Sequence, residues 1–337
     1  MKKHIRRIQL TGGSTFIVSL PKPWVLRQRL SPGSQVIIEE RGPGLVVKPL
    51  DNLADKRDAT AVIHIGTESP DLVVKKIVAS YLMGFDTMIV KSDGQISPLI
   101  RNMVRSLIVS KLLGTEVMSE DDKEIQLRVL LNAGDIPLQD VLKRLSRVVN
   151  SVVMDACESI IKGEMSMVEE IIKEDDSVDR MYFYTIRMLN KVAEGSVEIN
   201  GDFDLRTLLA YRALSKLLER IGDHAVSIAR HIRELQGWSG TWSDLKELCM
   251  EVHKIYADSV DAFFNMNMGV ISTIDSLVKE LRMKEEKLLK SYLDTSNSTS
   301  LVTLRLILES IRRIAEYSRD IAELSLDLSI VRMVENH

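Results

Sequence analysis

From Ile136 onward, apolar positions recur every three or four residues in long runs, the period of an amphipathic helix. The runs break at Lys162-Gly163, at "AEGSVEINGDFD", at "QGWSGTW", at "NMNMG" and at "DTSNSTS", so six helices are expected. Upstream, between Ala59 and Leu131, the period shifts. Strand-like "TAVIHIG" and "DTMIVKS" alternate with helix-like "SPDLVVKKIVASYLMG" and "SPLIRNMVRSLIVSKLLG", and strand-like "TEVMSED" and "EIQLRVLL" follow. Ser69-Pro70 and Ser97-Pro98 each place a capping hydroxyl before a proline at the first helical position, while Gly84 and Gly114 stop the helices. The order βαβαββ describes a small α/β layer. The first stretch of the chain alternates short β-rich runs (Ile5 to Thr11, Phe16 to Leu20, Gln35 to Glu40, Leu45 to Pro49) with Gly-Gly, Pro-Gly and Gly-Pro-Gly turns, and allows a helical turn or two around Trp24 to Leu30. So few large apolar side chains cannot bury a self-sufficient core, and intertwining with a second copy is the expected remedy.

The helical region repeats. Residues 211 to 230, "YRALSKLLERIGDHAVSIAR", overlay residues 304 to 323, "LRLILESIRRIAEYSRDIAE", with identical pairs Arg212/Arg305, Arg220/Arg313, Ile221/Ile314, Ile228/Ile321 and Ala229/Ala322. Earlier helices overlay through Asp155-Ala156 and Asp261-Ala262. Two three-helix bundles in tandem follow. The predicted organisation is a β unit over 1–50, an α/β module over 55–132, and bundles over 136–237 and 243–333.

Charge divides the chain. Over residues 1 to 48, Lys2, Lys3, Arg6, Arg7, Lys22, Arg27, Arg29, Arg41 and Lys48 face only Glu39 and Glu40, an excess of +7; the whole chain carries −3, so the remainder carries −10. A basic head on an acidic body marks the head as the part that meets a polyanion. Double-stranded DNA is the expected polyanion, with Lys2, Lys3, Arg6, Arg7, Lys22, Arg27 and Arg29 as the contacts; simple solubility is the bland alternative for so many cations. Cys157 and Cys249 lie in helix-like segments without C-x-x-C or Cys/His spacing, which supports neither a disulfide framework nor a zinc ribbon and points to a reducing cytoplasm. No uncharged stretch approaches the length of a membrane span.

One segment carries unusual chemistry. In "LLERIGDHAVSIAR", Glu219 and Asp223 stand four apart, so both carboxylates leave the same helix face and repel by a few tenths of a kcal/mol, roughly. Gly222, between them, costs a helix about 1 kcal/mol relative to alanine. A hard cation between the carboxylates would offset the first cost, and a close helix contact the second. In "IIKEDDSVDRMYF" the middle helix of the same bundle repeats the spacing with Asp175 and Asp179. The bland reading is a solvated face with Asp223 paired to Arg220 or Arg230, which contributes little. His224 and His231 read more naturally as ordinary helical histidines than as ligands, and Ser227 lacks the activating base and oxyanion turn of a nucleophile. No general base, nucleophile or substrate cleft can be named, so the chain is read as a non-enzyme.

Two resemblances follow from these stretches. "TFIVSLPKPWV", "LSPGSQVIIEE" and "GPGLVVKPL" resemble the AbrB-type (SpoVT-AbrB) swapped-hairpin DNA-binding domain, in which two chains interleave into one barrel; Ser14 and Thr15 stand beside Gly13 where an arginine is common. "LLERIGDHAVSIAR" and "EEIIKEDDSVDR", with the tandem repeat, closely resemble the PhoU family of phosphate-uptake regulators. The implied fold is α+β multidomain: a swapped-hairpin β-barrel half, a small α/β layer and PhoU-like tandem bundles. The second resemblance implies that Asp175, Asp179, Glu219 and Asp223 bind a divalent or trivalent metal ion (Mg, Mn, Fe or Zn), with Gly222 at a close approach. In the second repeat Arg312 stands in place of Glu219, Glu316 in place of Asp223, Glu285 near Asp175 and Leu289 in place of Asp179. An arginine cannot ligate a cation, so one metal site and one degenerate copy are expected. Together the resemblances imply a cytoplasmic, homodimeric, phosphate-responsive transcriptional regulator that negatively controls phosphate uptake. The alternative is an adaptor that docks on a phosphate transporter or signalling kinase and uses the head only to dimerise.

Overall fold

The computed structural model describes residues 3–41, 44–50, 59–131, 136–162, 165–197, 205–235, 242–292 and 298–335. They fall into two compact units, Met1–Asp58 and Ala59–His337.

In the first unit, β1 (Gln9–Thr11) pairs antiparallel with β2 (Thr15–Ile17), a short helix α1 (Lys22–Arg27) follows, and β3 (Val36–Arg41) pairs antiparallel with β4 (Gly44–Pro49). The first two strands are shorter than their apolar runs. Gly12 and Gly13, with φ of +63° and +82°, form the turn between them, a region that only glycine enters at low cost. Among the described residues of this unit only Pro49 is buried, and Phe16, Leu26, Ile38 and Leu45 are each 61% exposed or more. Alone, this segment has no core.

The second unit begins with the βαβαββ layer: β5 (Thr60–Ile65), α2 (Pro70–Leu82), β6 (Thr87–Ser92), α3 (Pro98–Lys111), β7 (Thr115–Glu120) and β8 (Glu124–Val129). The sheet order is β5-β6-β8-β7, with β5 and β6 parallel and the other pairs antiparallel. Ser69 and Ser97 accept the amides of Leu72 and Ile100, so both expected caps form with proline in the first turn. Val73, Ile77, Tyr81, Val104 and Leu107 bury one side of the two helices on Met88, Val90, Ile125 and Leu127 of the sheet.

Six helices follow, as the period predicts: α4 (Leu138–Lys162), α5 (Met165–Ala193), α6 (Leu205–Glu234), α7 (Trp242–Asn265), α8 (Ile271–Tyr292) and α9 (Ser298–Glu335). Helices α4 to α6 form one bundle and α7 to α9 the other; α6 lies against α9 and α4 against α7, and both bundles share one hydrophobic core. Helices α6 and α9 start at residues 205 and 298, the spacing of 93 residues that separates the repeated sequences.

The two cysteines correct one expectation. Cys157 of α4 and Cys249 of α7 are joined in a disulfide, their Cα atoms 5.3 Å apart and both side chains fully buried. The bridge staples the two bundles where their first helices meet. Nothing in the local spacing of either cysteine encodes that crossing, because the partners are 92 residues apart.

The α/β layer is bolted to α5. Arg187, 1% exposed, donates to the carbonyls of Tyr81 and Phe85 at 3.0 and 2.7 Å and to the Asp86 carboxylate at 2.6 Å. Lys191 reaches the same carboxylate at 2.7 Å, and the Asn190 amide donates to the Leu82 carbonyl at 2.7 Å. A buried guanidinium is tolerated only when its donors are filled in this way.

Candidate functional site

The acidic pairs lie on α5 and α6 on either side of one close contact between these helices. An added Cβ at Gly222 would lie 3.0 Å from Cγ1 and 3.4 Å from Cγ2 of Val178, so glycine sets the helix separation at that point. Val178 is flanked on α5 by Asp175 and Asp179, and Gly222 on α6 by Glu219 and Asp223. The close contact therefore brings together the helix segments that carry the four carboxylates.

Asp223 is pushed up to about 7, first by loss of hydration against the packed helices and then by the charges of Glu219, Asp175 and Asp179, with Lys216 opposing. Its carboxylate still opens to solvent on one side, so the desolvation is partial and the three like charges matter. Asp175 is also raised, by burial and then by Asp179, against Arg230 and Lys111.

Three of the four carboxylates already hold a side-chain cation. Asp179 accepts the Lys111 ammonium at 2.6 Å, Glu219 accepts Lys216 at 2.6 Å to both oxygens, and Asp175 meets Arg230 at 3.4 Å. Asp223 has no hydrogen bond or ion pair to any described residue. Burial pulls Lys111 down, but the bond to Asp179 and the charges of Asp179, Asp176 and Asp175 outweigh it and leave the ammonium above its ordinary value. Among the described residues no group of three or more His, Cys, Asp or Glu side chains stands ready to hold a metal ion. The four carboxylates are of the hard, anionic oxygen type that Mg, Mn or Fe takes, and Asp223, though Lys216 lowers it, makes no ion pair with a described residue.

The second bundle holds the degenerate copy. Arg312 lies 3.3 Å from Glu285 and 2.9 Å from Glu316, and Arg313 adds a contact to Glu316 at 3.2 Å. Burial raises Glu285 despite Arg312. Leu289, in place of Asp179, packs against the core. A guanidinium thus sits between the two carboxylates that correspond to Asp175 and Asp223.

The other candidates lie elsewhere. His224 approaches Ser310 of α9 at 3.4 Å and the Tyr317 ring at 5.8 Å between centroids, and burial holds it below the usual histidine value. His231 donates to the Ser227 carbonyl at 2.8 Å. In the first unit Lys3, Arg6, Arg7, Lys22, Arg27 and Arg29 are exposed, while Lys48 is paired with Glu39 at 2.6 Å. Lys2 lies outside the described residues. Sequence reasoning missed Lys111 and Arg187: a lysine ending one helix and an arginine inside another carry no local signal of the carboxylates they reach, 68 and 101 residues away.

Comparison with known proteins bears out both resemblances. Residues 142–232 match the family model described as PhoU domain, and residues 9–55 the model described as antidote-toxin recognition MazE, bacterial antitoxin. The phosphate-specific transport system accessory protein PhoU homolog of Clostridium acetobutylicum is 28% identical over 153 residues, 43% of this chain and 69% of that protein. The crystal structure of PhoU from Pseudomonas aeruginosa matches with a TM-score of 0.53 at 21% identity, over 57% of this chain and 95% of that one. The phosphate transport system regulatory protein PhoU from Streptococcus pneumoniae matches with a TM-score of 0.52 at 18% identity, over 57% and 93%. Likeness at that identity is one of fold. No helix among the described residues is long and apolar enough to cross a membrane.

Proposed function

We propose that this chain, a PhoU domain joined to a MazE/AbrB-like head, is a phosphate-responsive transcriptional regulator that restrains phosphate uptake. The observation that carries the reading is the head itself: an excess of +7, exposed cations at Lys3, Arg6, Arg7, Lys22, Arg27 and Arg29, and apolar side chains with no core of their own. Pairing two heads would bury those apolar residues and double the cationic surface, which suits the phosphate backbone of double-stranded DNA. A pure dimerisation device needs no such charge.

In the body, Asp175, Asp179, Glu219 and Asp223 would hold a hard metal ion. When bound, it would supply a positive charge beside Asp223, which has no ion-pair partner among the described residues, and a point of attachment for an anion. The chain's own contribution is the glycine-set helix approach and the spacing of the four carboxylates. The proposed role is regulatory, in keeping with the accessory and regulatory proteins this chain resembles.

The test is binding of the full protein to DNA upstream of phosphate-uptake genes across a salt series, beside the double variant Arg6→Ala, Arg7→Ala. A dimer that loses four phosphate contacts should lose about 3–4 from the slope of log affinity against log salt, along with preference for that DNA over competitor. Equal, weak binding to all DNA would sink the regulator and favour an adaptor that docks on a phosphate transporter or signalling kinase. That second reading draws on the printed name of the Clostridium relative, an accessory protein of phosphate-specific transport.

A further inference from the structure

The four-stranded sheet of the α/β layer has two edges, and only one is guarded. At one edge, β7 is broken by a bulge between Val117 and Ser119 and carries Glu116 and Glu120, the latter held by Arg101 and Arg105 at 2.6 and 3.0 Å. Bulges and charges of this kind keep an edge strand from pairing with another chain. At the other edge, β5 has neither. Its residues, Thr60-Ala61-Val62-Ile63-His64-Ile65, include no Asp, Glu, Lys, Arg or Pro, and they run in unbroken register with β6 from Thr60 beside Thr87 to Ile65 beside Ser92. No strand among the described residues lies on the outer side of β5.

The side chains around that edge are apolar and incompletely covered. Ile63 is buried, but Ala61 and Ile65 beside it on the helix side of the sheet are only half-buried, and on the opposite face Val62 is 50% exposed. Helix α2 packs over β5 and β6. It buries Val73, Ile77 and Tyr81 and turns Val74, Val78 and Leu82 toward α3, with which they line a shared cleft. Its remaining flank, away from α3, therefore stands over the β5 edge; that flank carries Leu72, 44% exposed, and Lys76 paired with Glu68. An open strand edge bordered by exposed apolar groups is an aggregation hazard unless something covers it.

Three features select a second copy of this chain as the cover. The first is charge: β5 has none and the ion pair on the α2 flank has one of each sign, so a copy meets no like-charge repulsion, whereas pairing at β7 would set Glu116 and Glu120 against their equivalents. The second is self-complementarity. Antiparallel pairing about a twofold axis perpendicular to the sheet keeps like faces together, with Val62 opposite Val62 or His64 of the copy, and Ala61, Ile63 and Ile65 continuing one apolar row beneath the helices. The third is reach. β4 ends at Pro49 and β5 opens at Thr60, so the chain between them spans at most about 40 Å, and two paired heads would hold two β5 edges at high local concentration.

We propose that β5 pairs antiparallel with β5 of a second copy, joining two α/β layers into one continuous sheet. This rests on the pairing of heads proposed above, because one short strand pair and the helix flank beside it are too small an interface to hold a dimer unaided. The two bodies of a head-paired dimer then share one twofold axis through their α/β layers.

The test uses the full chain with a nitroxide attached at His64→Cys; the two native cysteines are joined to each other and take no label. His64 is exposed on the outer face of the sheet, so the label stands clear of the pairing edge. Dipolar spectroscopy should read a label-to-label distance below about 25 Å, whereas a label at Met118→Cys, on the far edge of each sheet, should read about 35 Å or more. Val62→Lys with Leu72→Lys sets like charges against each other at the edge. In that variant the short distance should be lost, while light scattering still reports a dimer and the thermal melt stays close to the parent's. A dimer that shows no short distance at His64→Cys overturns the edge pairing and leaves the pairing of heads standing. A short distance that survives Val62→Lys with Leu72→Lys places the contact on another surface and overturns the edge pairing as well. A monomer in light scattering overturns the pairing of heads and the edge pairing with it.

Discussion

Gly222→Ala separates two opposed effects. In an isolated helix the change should stabilise by about 1 kcal/mol, because glycine has that much lower propensity than alanine. Here the new methyl meets Val178 Cγ1 at 3.0 Å and Cγ2 at 3.4 Å, and Val178 is 1% exposed. A valine in a helix has essentially one χ1 well and cannot swing aside, so α5 and α6 must separate by a few tenths of an ångström. Overpacking of this kind costs about 1–3 kcal/mol. The net expectation is a change between neutral and a loss of about 2 kcal/mol, a fall in melting temperature of up to a few degrees for a unit of this size. Urea denaturation of four proteins checks it: parent, Gly222→Ala, Val178→Ala and the double variant. In the Val178→Ala background the obstruction is gone, and Gly222→Ala should become neutral or stabilising, giving a coupling energy of about 1 kcal/mol or more. If Gly222→Ala stabilises the parent by its full helix propensity, the close approach does not govern the seam, and the account of how the four carboxylates are brought together fails.

Two further outcomes follow from the same geometry. Asp223 lies at about 7 in the folded chain against an ordinary value of 3.8, so folding favours its protonated form: that contribution is fully present below pH 3.8 and is lost as pH rises through about 7. Without metal, urea midpoints of the parent should fall across that window relative to Asp223→Asn, and parallel curves for the two proteins would refute the assignment. The disulfide closes a loop spanning 92 residues, which in the chain-entropy model contributes about 4–5 kcal/mol; Cys157→Ser with Cys249→Ser should unfold at clearly lower urea, and because both sulfurs are fully buried, mild reductant should act on the parent only as slowly as the bundles open.

Much of this architecture was legible because its signals are local. A 3.6-residue period gives six helices whatever they pack against, and Ser69-Pro70 and Ser97-Pro98 announce their helices by hydrogen bonds three residues long. The acidic seam was legible because Glu219/Asp223 and Asp175/Asp179 repeat one spacing, and the degenerate copy because the overlay puts Arg312 where Glu219 stands. What escaped is contact between elements. Val178 as the partner of Gly222, Lys111 on Asp179, Arg187 under the α/β layer and Cys157 against Cys249 depend on how helices cross, and no periodicity encodes a crossing. The strands of the head show the converse: the apolar runs from Ile5 and Phe16 overstate β1 and β2, because extended propensity forms a strand only where a partner strand is within reach.

The two bundles meet one electrostatic problem, carboxylates crowded on a helix seam, in different ways. In the second, the counter-charge is built into the seam: Arg312 and Glu316 are one turn apart, so the pair is made as soon as the helix forms. In the first, Asp223 is left without a partner among the described residues and Asp179 borrows a lysine from the neighbouring layer. The first bundle has resident cations too, Lys216 on Glu219 and Arg230 on Asp175, so the lysine from the neighbouring layer is an addition to them. That layer is also the part of the second unit joined in sequence to the basic head, since β5 opens at Thr60 directly after the first unit ends at Asp58.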